Sequence, residues 1–245
     1  MPFYSDWSFW AVLVAAIAVL LSQLSPIHIL FKKASLDMEL HSRMYITHKV
    51  GNPNISFHLI LNNNGGRVIK IRKITATIKK DRKQIAALPA QNYLQNPNDK
   101  TPILLTSFSL KPKQEWAHFV NFLNYFSRTD EKKYRKAESR LKARIMEKRK
   151  TTSDKDSLVK VGSEYVSPFM DMFNTKFLWQ ADEYEICVSV NVKPEKANIE
   201  KTYRFTLFES DSEELSNYKD AFIYGDGIYW DSGNHPGLNI QITEA

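Results

Sequence analysis

The chain is poor in several features on which particular functions depend. It has one cysteine, Cys187, among 245 residues, so an internal disulfide is excluded. There is no Cys-x-x-Cys pair, no His-Glu-x-x-His and no calcium-loop spacing. The six histidines (His28, His41, His48, His58, His118 and His235) are scattered, so no metal site can be read from local sequence, and no cofactor is expected. Glycine is scarce at eight residues. The one Gly-Gly pair, Gly65–Gly66, lacks the spacing and the following Lys-Ser/Thr of a phosphate loop, and it precedes a strand-like run, so a hairpin turn over Asn62–Gly66 is the expectation. Without an identifiable base nearby, Cys187 is not expected to be a nucleophile, and no catalytic motif is present.

Charge is also missing from one long stretch. Residues Trp7–Phe31 contain no Asp, Glu, Lys or Arg. With Ile27–Phe31 included, the run is long enough to cross a hydrocarbon core of about 30 Å. The leader 1–6 has no basic residue and no small-residue cleavage site follows, which favours a retained helix over a signal peptide. The sequence therefore predicts a short flank at 1–6, a single transmembrane helix at 7–31 and a β-rich domain at 34–245. Lys32, Lys33 and Arg43 follow the apolar run. By the flanking-charge rule they place the N-terminus outside and the C-terminal domain in the cytoplasm, at an inner or plasma membrane.

What remains is dominated by period-two patterning. Leu36, Met38, Leu40, Met44, Ile46 and Val50 alternate with polar residues, which predicts one long strand or two joined by a bend near Ser42. Gly51–Asn52–Pro53–Asn54 reads as a turn, and Phe57, Leu59 and Leu61 as the next strand. Val68–Lys79 is rich in β-branched residues, and its parity slips near Lys70–Lys73 as at a bulge. Asp81–Pro102 reads as mostly loop with a short strand at Ile85–Leu88. Strands are expected at Ile103–Leu110 and Trp116–Phe126, then at Tyr184–Val192 and Tyr203–Leu207. A short helix is expected at Ser210–Lys219, and an aromatic strand or extended segment at Phe222–Trp230. These alternating strands on both sides of a helical interruption predict an immunoglobulin-like antiparallel β-sandwich, with 128–178 as a basic helical and irregular insertion. The general layout is similar to membrane-anchored immunoglobulin-like bacterial domains.

Two segments carry the candidate contacts. Residues 128–150 hold eleven basic and four acidic side chains, a net of +7 that equals the formal charge of the whole chain. Tyr134, Ala137, Leu141 and Ile145 form a narrow apolar stripe, so a surface helix is predicted, with Glu131–Arg135 and Glu138–Lys142 as pairs four apart. Lys132, Lys133, Arg135, Lys136, Arg140 and Arg144 are the candidates for contact with an acidic surface or anionic lipid. The second segment combines Tyr224, Asp226, Tyr229, Trp230, Asp231 and His235 with flexible glycines, a composition suited to partner or ligand contact. The resulting expectation is a noncatalytic, membrane-anchored accessory or scaffold protein that binds another membrane-associated protein. Alternatives are tethering of nucleic acid through the basic helix, and a carbohydrate- or peptide-active enzyme using Asp226 and Asp231.

Overall fold

The computed structural model describes residues 7–23, 32–96, 99, 101–151 and 157–245. The first element, α1 (Trp7–Gln23), is 17 residues long. At 1.5 Å per residue it extends about 25 Å, short of a hydrocarbon core of about 30 Å. No helix among the described residues is long and apolar enough to cross a membrane. The remainder of the expected 7–31 anchor, 24–31, lies outside the described residues. The transmembrane helix, the single-pass topology with a cytoplasmic C-terminal domain, and the membrane-associated partner and anionic-lipid contacts derived from them are therefore not supported.

The strands do not split into the two sheets of an immunoglobulin-like sandwich. They are β1 (Leu36–Lys49), β2 (Asn52–Asn63), β3 (Ile69–Lys80), β4 (Lys83–Leu94), β5 (Ile103–Leu104), β6 (Phe108–Leu110), β7 (Glu115–Leu123), β8 (Asp182–Lys193), β9 (Ile199–Leu207), β10 (Leu238–Gln241) and β11 (Thr243–Glu244). All belong to one sheet of 11 strands ordered β10-β1-β2-β7-β4-β3-β8-β9-β11, with β5 on β4 and β6 on β3. Its two ends are consecutive in sequence. β10 pairs with β1 and β11 with β9, both antiparallel, so the last residues of the chain nearly close the sheet into a barrel. Strand alternation demands one buried and one outer face, and a barrel interior satisfies it as well as a sandwich does.

Local features follow the sequence with informative exceptions. β1 runs unbroken, but its register against β2 shifts between Leu40 and Met44, which leaves His41, Ser42 and Arg43 exposed as a bulge. Ser42 then accepts a backbone hydrogen bond from Ile242 at 2.8 Å, so the bulge receives the closing segment. The parity slip in β3 is also a bulge, between Ile71 and Lys73. The Asn62–Gly66 segment is not a hairpin, because β7 and β4 lie between β2 and β3. It is pinned by the buried Asn63, whose Nδ2 donates to the carbonyls of Arg67 and Leu110, both at 2.9 Å. β4 is a full strand of 12 residues where a short one was expected, and the expected Ile103–Leu110 strand is broken into β5 and β6.

The barrel interior is filled by the inward set of each strand, including Met44, Ile46, Phe57, Phe122, Ile186 and Phe205. Phe57 and Phe122, on neighbouring strands, stack with ring centroids 4.6 Å apart. A second core lies over one end of the barrel, built by α2 (Arg128–Thr151), α3 (Ser163–Lys176) and the 3-10 turn Tyr218–Tyr224. The α2 stripe Tyr134, Ala137, Leu141 and Ile145 is buried there. The two cores meet at the β1–β2 hairpin. Its turn is Val50–Gly51, both at positive φ, and Asn52–Pro53–Asn54 already belong to β2. Val50 is buried in the helical core, and Phe177 packs against both cores. A Cβ on Gly51 would lie 2.7 Å from the Phe173 carbonyl oxygen, so glycine there permits α3 to approach the hairpin backbone. The last helix, α4 (Glu209–Asn217), begins where Asp211 accepts a hydrogen bond from the Phe208 amide at 2.9 Å.

Candidate functional site

The aromatic-acidic segment near the C-terminus is folded as a loop, where a strand or extended segment was expected. The 3-10 turn Tyr218–Tyr224 leads into a tight turn in which Gly227 donates to the Trp230 carbonyl at 2.9 Å and Tyr229 to the Gly225 carbonyl at 3.2 Å. The following segment to Gly237 lies over the outer face of β1, because the Gly237 amide donates to the Tyr45 hydroxyl at 2.5 Å. Between β1, the start of β2 and this loop is a cleft of about 640 Å³. Asp226, Tyr229, Trp230, Asp231 and His235 line it, together with Tyr45, His48, Lys49, Asn54 and Tyr218. Tyr224 does not line it; its carbonyl instead accepts the Trp230 indole N–H at 3.0 Å.

The walls are held by their own polar groups. Asp226 is buried, and Ser232 bonds both of its oxygens, with the amide on Oδ1 at 2.9 Å and the hydroxyl on Oδ2 at 2.5 Å. His235 Nε2 stands 3.8 Å from the same oxygen and stacks obliquely on Tyr218 at 4.6 Å. Tyr218 donates its hydroxyl proton to the Pro236 carbonyl, and burial pushes that phenol up to about 12. His48 is packed among Phe173, Phe177 and Tyr218. Its Nε2 lies 2.9 Å from the Leu215 carbonyl, and the Gly51 amide donates to Nδ1 at 3.1 Å, which assigns the neutral Nε2–H tautomer. Burial lowers its pKa, the Leu215 carbonyl acts in the opposite direction, and the nearby His235 adds a smaller lowering. Among the described residues the buried Asn54 Oδ1 has no hydrogen-bond donor.

Chemically, the Ser232, Asp226 and His235 cluster is not a nucleophile relay. The hydroxyl donates to the carboxylate, whereas activation needs it to donate to the imidazole. Among the described residues no three His, Cys, Asp or Glu side chains are grouped so as to hold a metal ion. Cys187 is buried in the barrel wall, where desolvation first and Glu200 second push its thiol up to about 11. At that pKa the thiol is protonated near neutrality, away from the reactive thiolate form.

The basic segment forms a continuous helix of 24 residues, and the six candidate cations have different surroundings. Arg135 bonds Glu131 at 2.7 Å and Glu138 at 3.3 Å, so Glu138 pairs backwards with Arg135 and not with Lys142 as its spacing suggested. Arg144 bonds Glu147 at 2.7 Å. Lys132, Lys133, Lys136 and Arg140 are exposed and make no ion pair with a described residue. Lys142 instead lies over the Tyr229 ring, 5.8 Å from its centroid, and the buried Tyr134 hydroxyl donates to the Ile228 carbonyl at 2.6 Å. The helix thus braces the loop that forms the cleft. Tyr45, His48 and Asn54 escaped the sequence reading because they are remote in sequence from the 224–235 cluster, and Tyr218 because it falls in the stretch read as a separate short helix. The only local signal was that Tyr45 and Lys49 fall on the polar parity of β1. The chain's sequence matches no family model and no curated protein.

Proposed function

We propose that this protein is a noncatalytic binding domain that holds a small, neutral, hydroxyl-rich ligand of sugar-ring size in the cleft over β1. The carrying observation is the division of labour among the cleft residues. Two groups suited to acid–base work, Asp226 and His48, are engaged in holding the walls, Asp231 accepts from the Gly233 amide and His235 stacks on Tyr218, while aromatic side chains line the open space. A volume of about 640 Å³ lies within the range of about 300–1,000 Å³ usual for small-molecule sites. Tyr229 and Trp230 are half-buried and line the cleft, Tyr229 with Lys142 over its ring, and bring aromatic surface to an apolar ligand face. The exposed Asp231 supplies an acceptor for hydroxyl donors.

The test is a titration of the full chain with a panel of neutral mono- and disaccharides, followed by isothermal calorimetry and by chromatography of the sugars after incubation. The reading predicts saturable binding of at least one sugar, about tenfold or more weakening in Trp230→Ala, and recovery of the sugar unchanged. Absence of binding across the panel would refute the ligand class. Sugar turnover by the native chain that is lost in Asp226→Asn would refute the noncatalytic reading.

A further inference from the structure

Three of the exposed cations of α2 face α3, and their placement marks a second surface apart from the cleft. Lys133, Lys136 and Arg140 recur at intervals of three and four and line one side of a groove between α2 and α3 of about 480 Å³. Pro168, Met172 and Lys176 recur along the facing side on α3, and Ala137 lies between. Ala137 is buried, whereas Pro168 and Met172 are half-buried, so the groove has an apolar floor reachable by one side chain. Two carboxylates also line it. Asp130 is taken by Lys176 at 2.8 Å, which leaves Asp171, among the described residues, as the acid without an ion pair that lines the groove with Lys133, Lys136 and Arg140. The acids carried further along α2 are committed elsewhere: Glu131 and Glu138 to Arg135, and Glu147 to Arg144. The groove rim therefore keeps a positive charge that no α2 carboxylate offsets, whereas Arg135 and Arg144 on the same helix are paired.

We infer that this groove docks an acidic amphipathic helix of a partner protein. The three cations lie within eight residues of α2, seven steps of the helix or about 10 Å, and a helix laid alongside presents carboxylates at the same spacing of three and four. Such a helix, with one apolar residue on the same face, places that residue over Met172 and Pro168 while its carboxylates meet Lys133, Lys136 and Arg140. Charge complementarity sets the orientation and hastens the encounter, and the single apolar anchor slows dissociation.

Fluorescence anisotropy on the full chain tests this directly. The probe is a labelled, alanine-based helical peptide carrying glutamates at intervals of three and four around one leucine. Saturable binding is expected below about 1 mM, weakening as salt is raised from about 0.05 to 0.3 M. Lys133→Glu/Lys136→Glu/Arg140→Glu should lower affinity about tenfold or more, and Met172→Asp should do the same without changing any groove cation. Lys70→Glu/Lys83→Glu/Lys111→Glu makes the same change in net charge on exposed barrel positions and should leave affinity within about twofold. Circular dichroism and thermal unfolding of each variant separate lost binding from lost fold. No saturable binding by the native chain, or equal weakening by both triple variants, would overturn the proposal. So would a single-stranded oligonucleotide of matched charge that binds more tightly through Lys133, Lys136 and Arg140, since the surface would then be a nucleic-acid contact.

Discussion

Substituting Gly51 by alanine should destabilise the protein more than alanine at Gly227, and the difference measures how closely the helical layer sits on the barrel. Both glycines have positive φ, +80° at Gly51 and +71° at Gly227. Each substitution therefore carries the left-handed penalty of an L-residue, about 1–2 kcal/mol. Their surroundings differ. A Cβ at Gly227 meets only the Phe222 ring at 3.6 Å, an ordinary contact. A Cβ at Gly51 meets the Phe173 carbonyl oxygen at 2.7 Å, the Phe173 Cα at 2.9 Å and the Phe177 nitrogen at 3.1 Å, all backbone atoms. No rotamer change relieves that overlap, so α3 must move, at a further cost of about 1–3 kcal/mol. The total for Gly51→Ala is about 2–5 kcal/mol, equivalent to a fall in Tm of roughly 5–15 °C for a domain of this size. Urea unfolding followed by circular dichroism gives both values. Equal losses at the two positions would refute the close approach of α3 to the β1–β2 turn.

Other consequences follow from buried groups. Tyr134→Phe removes the 2.6 Å hydrogen bond to the Ile228 carbonyl and should cost about 1–3 kcal/mol in urea unfolding, with faster hydrogen exchange across 225–233; unchanged exchange there would contradict the bracing role of α2. The pKa of folded His48 is lowered chiefly by burial, so the unfolded state binds the proton more readily. Stability is then fully present above the unfolded value of about 6.5 and declines as pH falls through the lower folded value. His58, shifted in the same direction chiefly by desolvation, adds to this. His48→Gln should flatten the pH dependence of the urea midpoint between about pH 7.5 and 5, and an undiminished slope would remove His48 as its source. The Cys187 thiol, buried and pushed up to about 11, should resist Ellman's reagent at pH 8 in the native chain and react fully in denaturant; rapid native reaction would show the strand β8 to be open.

Sequence patterning resolved individual strands better than their assembly. β1, β8 and β9 alternate cleanly because one parity faces the core, and the slip in β3 announced its bulge. Closure was not legible, because it depends on Arg43–Ile46 pairing with Leu238–Gln241 from the far end of the chain. Alternation says which face is buried but not whether the opposing face belongs to a second sheet. β4 was hidden by the small residues Ala86, Ala87 and Ala90 and by Pro89, which weaken the hydrophobic signal without preventing pairing on both sides. The aromatic content of Phe222–Trp230 suggested a strand or extended segment, but the fold uses those rings to line a cleft and fill the helical core. The α2 stripe was visible as a period of 3.6, whereas the groove charge needed α3 alongside to distinguish Lys133, Lys136 and Arg140 from the neutralised Arg135 and Arg144. The apolar 7–31 run satisfied a length rule for spanning, yet the described helix ends at Gln23.

The most direct measurement of the central claim is chemical-shift mapping of the isotope-labelled full chain during titration with a sugar that binds it. A ligand seated in the preformed cleft shifts the signals of Tyr45, Tyr229, Trp230 and His235, on the two sides of that space. Signals from β3 and β8, three or more places from β1 and β2 in the strand order, stay in place. Shifts concentrated on β3 and β8, with the 225–237 loop silent, would contradict the assignment of the cleft as the binding site.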